Sequence, residues 1–190
     1  MKAFIAAAAM SLMLGAPVLA EEKRGKKMAP FSPTLLSVED VQSVAPALAR
    51  FGNEVLTEDL WARNELSRRD RSIVTVAILI ARPQPAELKH YVDVALNNGV
   101  TAAEISEIVT HLAFYSGWPS AMSAVAVMKD IFLARGIGRE QLAAASPELL
   151  PLNQAVENQR STTVEQNFGA ISPGLVKFTT QPLFLDLWQR

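Results

Sequence analysis

The sequence predicts an all-α fold, a helical bundle built from antiparallel hairpins. Apolar residues recur at steps of three and four along most of the 190-residue chain, and no stretch alternates strictly between apolar and polar residues. Three predicted helix starts share one signal, a hydroxyl residue followed three positions later by a carboxylate. Such a pair satisfies backbone N–H groups that the first helical turn leaves free. The pairs are Ser37 with Asp40, Ser67 with Asp70, and Thr101 with Glu104.

The first three predicted helices lie between residues 37 and 82. The first begins at Ser37 and runs to about residue 50, and the second covers residues 53–63. The third begins at Ser67 and ends before Pro83 and Pro85, because proline lacks the N–H that continues a helix. The core face of the third helix is predicted from Ile73, Val74, Ala77, Ile78 and Ile80.

Three more helices are predicted as far as residue 136. The fourth covers residues 88–98 and ends at Gly99, a residue that tolerates the left-handed conformation of many helix ends. The fifth begins at Thr101 and runs to about residue 116. Gly117 and Pro119 are expected to form a corner, and the sixth helix then continues to Gly136.

The first twenty residues have the features of a secretory signal peptide. A positive start at Lys2 precedes an apolar run over residues 3–14, and the small residue Ala20 suits a cleavage site. The run is too short to span a membrane. We therefore expect an exported protein, periplasmic or secreted, with no membrane attachment after cleavage. Residues 21–34 are predicted to be a linker, and the basic residues within it to be solvated.

A partial internal repeat divides the remaining chain. Residues 44–63 align with residues 171–190 at a constant offset of 127, with eight identities in twenty positions that include Trp61 with Trp188 and Arg63 with Arg190. We predict a main domain over 35–138, a connector over 139–162, and the opening helices of a second, incomplete copy over 163–190. Either the chain is a fragment of a tandem-domain protein, or its apolar tail docks onto another surface, such as another subunit.

Composition excludes several kinds of site. The chain has 18 basic and 19 acidic residues, so no nucleic-acid surface is expected. It has no cysteine, which rules out disulfides, thiolate metal sites and thiol peroxidase chemistry. The two histidines, His90 and His111, lie on different predicted helices, and the glycines form no phosphate-binding loop. We therefore predict neither a metal site nor a cofactor.

Three stretches carry a resemblance to a known family. LSRRDRSIVTVAILIA (66–81), ALNNGVTAAEISEIVTHLAFYSGWPSAM (95–122) and the lead-in FG…LW..R resemble the carboxymuconolactone decarboxylase family over roughly residues 37–136. The likeness is closest to exported tandem-domain members. The resemblance implies an alkylhydroperoxidase-D-like fold, a trimeric or hexameric homo-oligomer, and cofactor-free decarboxylation of a small carboxylated lactone in aromatic catabolism.

The sequence departs from this family at the start of the fourth helix. Relatives with alkylhydroperoxidase activity carry Cys-x-x-Cys-x-x-His there, whereas this chain has RPQPAELKHY over residues 82–91. That activity is therefore not expected. The position of a histidine found in many members is Tyr91 here, and His90 lies one residue earlier, about 100° around the helix. His90 and Tyr91 are candidates for contact with substrate.

The candidate catalytic residues form a ridge on the fifth helix. Glu104, Glu107, His111 and Tyr115 follow at steps of three and four, beside an apolar stripe of Ile105, Ile108, Val109 and Leu112. Decarboxylation needs a donor near the developing oxyanion and a proton delivered to carbon. We expect His111 to be the general acid/base, Glu107 to orient it and Tyr115 to assist. The alternative is that His111 and Tyr115 are packing residues.

Substrate binding also needs a cation and walls that exclude water. Arg71 is our candidate for holding a carboxylate, because cations in the first turn of a helix are disfavoured by the helix dipole and suggest a role. A surface or intersubunit salt bridge is the open alternative. Trp118 is a candidate wall, although such aromatics are more often core or interface residues, and Trp61 is expected only to pack. The function hypothesis is a carboxy-lyase-like enzyme, and its rival is a catalytically silent oligomeric scaffold or ligand-binding domain.

Overall fold

The computed structural model describes residues 36–190. The predicted signal peptide and linker lie outside these residues, so export remains a prediction. Within the described range, no helix combines the length and apolar character needed to cross a membrane.

The described residues form helices and turns without any β-strand, which confirms the all-α fold. Eight α-helices follow one another in this part of the chain. They are α1 Val38–Val44, α2 Pro46–Phe51, α3 Arg68–Ala81, α4 Pro85–Asn97, α5 Ala102–Ser116, α6 Trp118–Ala134, α7 Gln154–Phe168 and α8 Pro173–Phe178.

Helices α3 to α6 form the bundle that supports the site. Helix α3 packs against α4 and α5, and α6 packs against α4 and α5. Each of these helices contributes fully buried or nearly buried apolar side chains to one core. The largest fully buried members are Ile80, Leu88, Ile105, Val76 and Val92.

The predicted hydroxyl–carboxylate starts are all confirmed as caps. Ser37 and Thr101 form capping boxes with Asp40 and Glu104, in which each side chain bonds the other residue's backbone N–H. Ser67 likewise accepts the backbone N–H of Asp70. These starts were predictable because every partner lies within three residues.

The predicted first and second helices are wrong in detail. The first is broken at Ala45, because Pro46 begins the separate helix α2. The second is a π-helical turn over Gly52–Thr57 and a 3-10 turn over Leu60–Ala62. Helix α4 begins at Pro85, three residues earlier than predicted, because proline is well tolerated in a first helical turn.

The predicted core face of α3 is also partly wrong. Val74 and Ile78 are about half exposed, whereas the buried positions are Ser72, Val76 and Ile80. From Ile73 to Ala81 the only polar residue of the helix is Thr75, so the periodicity of this stretch could not identify the side that faces α4 and α5. On α5 the predicted stripe is confirmed, since Ile105 and Val109 are buried and the two neighbouring positions pack against the same core.

The two copies of the repeat have the same order of local elements. In the second copy, α8 is followed by a π-helical turn over Thr179–Phe184 and a 3-10 turn over Leu187–Gln189, as in the first copy, but the second π-helical turn is interrupted at Gln181, whose φ of −125° and ψ of 122° are not helical. Helix α7 begins inside the predicted connector and runs past residue 162. The last residues bond α5 of the same chain, Trp188 through Tyr115 and Arg190 through Glu107. The backbone N–H of Leu150 also donates to Gln189 O at 2.7 Å.

Candidate functional site

The α5 ridge is held in place at its start and along its inner face. The capping box of Thr101 and Glu104 begins the helix, and Glu104 also pairs with Arg69 of α3. A hydrogen bond from the backbone N–H of Thr101 is the largest cause that lowers the pKa of Glu104 below its ordinary value. Glu104 is thus a structural residue at the base of the ridge, and Glu107, His111 and Tyr115 follow from it along the helix.

The imidazole of His111 has one nitrogen bound and one directed away from that bond. Its Nδ1 lies 3.1 Å from the backbone oxygen of Glu107. A carbonyl oxygen can only accept, so Nδ1 carries the hydrogen and Nε2 of the neutral ring holds the lone pair. The side chain is 36% exposed. His111 is therefore accessible and has the tautomer that leaves Nε2 free to exchange a proton.

The carboxylate of Glu107 is bound mainly by an arginine of the C-terminal segment. Arg190 donates from Nε and Nη2 to the two carboxylate oxygens of Glu107 at 3.0 and 2.9 Å. The carboxylate lies farther from His111, with 4.0 Å between Oε2 of Glu107 and Nδ1 of His111. The hydrogen bond that orients His111 thus comes from the main chain of Glu107, and the carboxylate contributes a nearby charge.

Tyr115 is also engaged by the C-terminal segment. Its hydroxyl accepts the indole N–H of Trp188 at 2.6 Å, and the two rings meet edge to face. Phe184 stacks on Trp188 with 5.6 Å between ring centroids. Both partners of this hydrogen bond are more than half exposed. The segment therefore covers the end of the ridge without burying it.

The predicted substrate-binding residues form a second group around Trp61. Trp61 is buried and stacks on Tyr91 with ring centroids 6.2 Å apart, which confirms its packing role. The ring of His90 meets Tyr91 edge to face at 5.0 Å. Burial, followed by the charge of Glu87, raises the pKa of Tyr91 to about 12. Tyr91 is consequently a neutral hydroxyl at ordinary pH.

Arg71 lies in this second group as well. Its guanidinium carbon is 5.8 Å from the Trp61 ring centroid, and its Nη2 donates to the backbone oxygens of Arg63 and Leu66, each at 3.1 Å. These bonds tie the preceding loop to α3. The Nε of Arg71 is buried without a hydrogen-bond partner, so one donor of this cation is unused.

The remaining candidate lies at the corner between α5 and α6. Trp118 is 58% exposed and meets Phe114 edge to face at 5.3 Å, next to the positive-φ corner at Gly117. A cavity of about 580 Å³ opens between α4 and α6 and is lined in part by Lys89 and Asp130. Among residues 36–190, no group of histidine and carboxylate side chains is arranged to hold a metal ion.

Comparison with known proteins identifies the family. The model of the carboxymuconolactone decarboxylase family matches residues 46–130, from α2 into α6. A 4-carboxymuconolactone decarboxylase from Acinetobacter baylyi is 30% identical over 106 residues, which cover 56% of this chain and 79% of the relative. The chain belongs to the carboxymuconolactone decarboxylase family. A nitrosuccinic acid decarboxylase from Metarhizium robertsii is 38% identical over 94 residues, 47% of this chain and 66% of that relative.

Two residues at the ridge were missed by sequence reasoning, although both lie in the repeat. Trp188 and Arg190 lie beyond the family match, which ends at residue 130, and contact Tyr115 and Glu107 within it. Their identity with Trp61 and Arg63 drew attention to the segment. No local pattern, however, indicated that the second copy of this family member's repeat binds α5.

Proposed function

We propose that this protein is a decarboxylase that acts on a small carboxylated lactone or a related acid, without a cofactor, by proton transfer at His111. The single observation that carries the proposal is the His111 imidazole, half-buried on α5, with Nδ1 bonded to the Glu107 carbonyl, so that Nε2 holds the lone pair of the neutral ring. Family membership supports a decarboxylase, since both curated relatives are named as decarboxylases of carboxylated compounds.

The chemistry needs few groups. As the carbon–carboxylate bond breaks, carbon dioxide leaves and the electron pair moves into a conjugated carbonyl. His111 Nε2, protonated beforehand, then delivers a proton to the carbon that lost the carboxylate. The Tyr115 hydroxyl, one turn further along α5, is a donor for the developing oxyanion. In this proposal Arg71, His90, Tyr91 and Trp118 contribute to substrate binding.

The direct test is carbon dioxide release from 4-carboxymuconolactone and from nitrosuccinic acid, the compounds named for the two relatives. We expect turnover of at least one member of a panel built on them. His111→Gln should lower kcat about 10²- to 10⁴-fold, the usual contribution of a positioned acid or base. His90→Gln is the comparison variant: because His90 is placed in substrate binding and not in proton transfer, it should act mainly on KM and change kcat much less than His111→Gln. Equal turnover by the His111 variant and the unaltered protein would exclude His111 from the mechanism.

A specific observation favours a second candidate function. Trp188 and Arg190 engage Tyr115 and Glu107, as expected of a catalytically silent scaffold or ligand-binding domain whose ridge serves packing. Calorimetric titration with the same compounds separates the candidates. Binding without release of carbon dioxide supports the ligand-binding domain, and neither binding nor turnover supports the scaffold.

We also propose that the protein is exported and forms homo-oligomers. The motivation for assembly is an apolar surface at the end of α5 and along α6, in which Phe114, Trp118, Met122 and Val125 are each more than a third exposed. Sedimentation velocity of the purified protein measures the mass in solution. A monomer at micromolar concentration would refute assembly.

A further inference from the structure

The duplicated motif Asp-Leu-Trp-x-Arg places the same arginine in two different settings. In the first copy Arg63 bonds Asp59, four residues earlier, through Nε and Nη2 at 3.0 and 3.1 Å. This pair is exposed on both sides and lowers the pKa of Asp59 through the hydrogen bond from Arg63. The first copy thus shows the partner that this arginine takes within its own motif.

The second copy has the equivalent aspartate, Asp186, but Arg190 does not form short hydrogen bonds with it. Arg190 lies 3.6 Å from Asp186, and its two short carboxylate bonds go to Glu107 instead. Two further bonds, to the backbone oxygens of Ala144 and Ala145, hold the guanidinium in place. The Arg190 side chain is only 10% exposed, against 52% for Arg63. Arg190 is therefore largely buried against the α5 ridge.

The consequence for the ridge concerns the carboxylate of Glu107. Each of its oxygens accepts one hydrogen bond from Arg190, and Oε2 lies 4.0 Å from His111 Nδ1. Without Arg190, this partly buried carboxylate would lack a cation. Because a charge-assisted bond is stronger than one to a neutral carbonyl, His111 Nδ1–H would then be drawn to the carboxylate. With Arg190 in place, Nδ1 of the imidazole bonds the main-chain carbonyl of Glu107 instead.

We propose that Arg190, from the second copy of the repeat, is a positioning residue of the α5 site: it holds Glu107 away from His111 and thereby sets the orientation of the imidazole. The inference deepens the proposed function and rests on it for its catalytic meaning. Its structural content, the coupling from Arg190 through Glu107 to His111, stands apart from any activity.

The test is nitrogen-15 NMR of the imidazoles in the full chain, prepared without a histidine tag. The chain has only two histidines, so His90→Gln assigns the spectrum. In Arg190→Gln we expect the Nδ1 resonance of His111 to move as its bond passes to a carboxylate. Arg190→Lys, which keeps the charge but loses the two-pronged geometry, should give a smaller change. Unchanged His111 resonances in Arg190→Gln would overturn the proposal.

Two further variants show whether the effect passes through Glu107. Arg63→Gln is the matched control, since it removes the equivalent arginine of the first copy and should leave His111 unchanged. The double variant Arg190→Gln, Glu107→Gln lacks the free carboxylate and should lose most of the spectral change. Equal changes in Arg63→Gln and Arg190→Gln, or a full change in the double variant, would also refute the coupling.

Measurement of decarboxylase activity is a separate test of the positioning role. On a substrate that the unaltered protein decarboxylates, Arg190→Gln should lower kcat by about ten- to a hundredfold, the range for a displaced reacting group, with a smaller change in KM. If no tested compound is turned over, the proposed function fails, and the NMR result alone decides the coupling. If turnover occurs and Arg190→Gln leaves kcat unchanged, the positioning role fails although the decarboxylase survives.

Discussion

Trp188 donates its indole N–H to the hydroxyl oxygen of Tyr115 over 2.6 Å, across a sequence separation of 73 residues. This bond joins the end of the second repeat copy to the end of the predicted catalytic ridge. With the bonds from Arg190 to Glu107, it makes the C-terminal segment part of the α5 surface.

Replacing Tyr115 with phenylalanine should release the indole of Trp188. We expect the Trp188 indole N–H resonance to shift in a proton–nitrogen spectrum, because its acceptor is lost. Global stability should fall by no more than about 1 kcal/mol, since both groups are exposed enough to bond water instead. Tyr91→Phe, the variant of the other tyrosine, should leave the Trp188 signal in place. An unchanged Trp188 indole resonance in Tyr115→Phe would contradict the hydrogen bond between Trp188 and Tyr115.

The core should depend far more on Ile105 than on Ile78. Ile105 is fully buried and Ile78 is 51% exposed. Ile105→Ala removes buried atoms and leaves a cavity, at a cost of about 2–5 kcal/mol in the free energy of unfolding. Ile78→Ala should change it by no more than about 0.5 kcal/mol. Urea denaturation measures both, and comparable losses would mean that α3 faces the core differently.

The start of α5 should be sensitive to its cap. Thr101→Ala removes the side-chain acceptor of the capping box and should cost about 1 kcal/mol at neutral pH. Thr162→Ala, an exposed threonine within α7, is the control and should have little effect. Urea denaturation of the two variants gives the comparison, and equal costs would refute the capping role.

The contribution of the Glu104 carboxylate to the free energy of unfolding should be lost at acid pH. Its folded-state pKa is held below the ordinary value of 4.5, mainly by the backbone N–H of Thr101. A depressed pKa stabilises the fold at pH values above the unfolded-state pKa, and this stability is lost as pH falls through the folded-state pKa. The stability difference between the unaltered protein and Glu104→Gln should therefore shrink below about pH 4.5. A difference that is constant from pH 7 to pH 3 would contradict this assignment.

The corner between α5 and α6 should require glycine. Gly117 has φ of 91° and ψ of 146°, a conformation that a Cβ disfavours. Gly117→Ala should destabilise the protein by about 1–3 kcal/mol. Gly174→Ala, at a helical position with open space around it, should instead be neutral or stabilise by up to about 1 kcal/mol. Thermal unfolding of both variants measures the difference, and an equal loss of stability in the two would contradict the special role of Gly117.

Much of the bundle was predictable because its signals are local. The caps at Ser37, Ser67 and Thr101 use partners three residues away, and the corner at Gly117 and Pro119 follows from two backbone preferences. The face of α3 was not predictable, since Val74 and Ile78 are as apolar as the residues that became buried. A helix that is apolar on all sides needs its neighbours to decide which side is covered.

The candidate site divides in the same way. The spacing of Glu107, His111 and Tyr115 placed them on one ridge, and the structure keeps them there because helical geometry alone relates them. The grouping of Arg71 with Trp61 and Tyr91 could not be predicted from spacing, because it depends on how α3 and α4 pack.

Fold class, helix starts and the order of the ridge residues were thus contained in the linear chain, since backbone preferences and side-chain periodicity act over a few residues. Only the tertiary structure determined which residue pairs with the carboxylate of Glu107. Arg63 and Arg190 have the same motif around them, yet one bonds its own aspartate and the other bonds Glu107, 83 residues away. The difference arises from what each copy packs against, because an ion pair forms with the carboxylate that tertiary contacts bring within reach and shield from water.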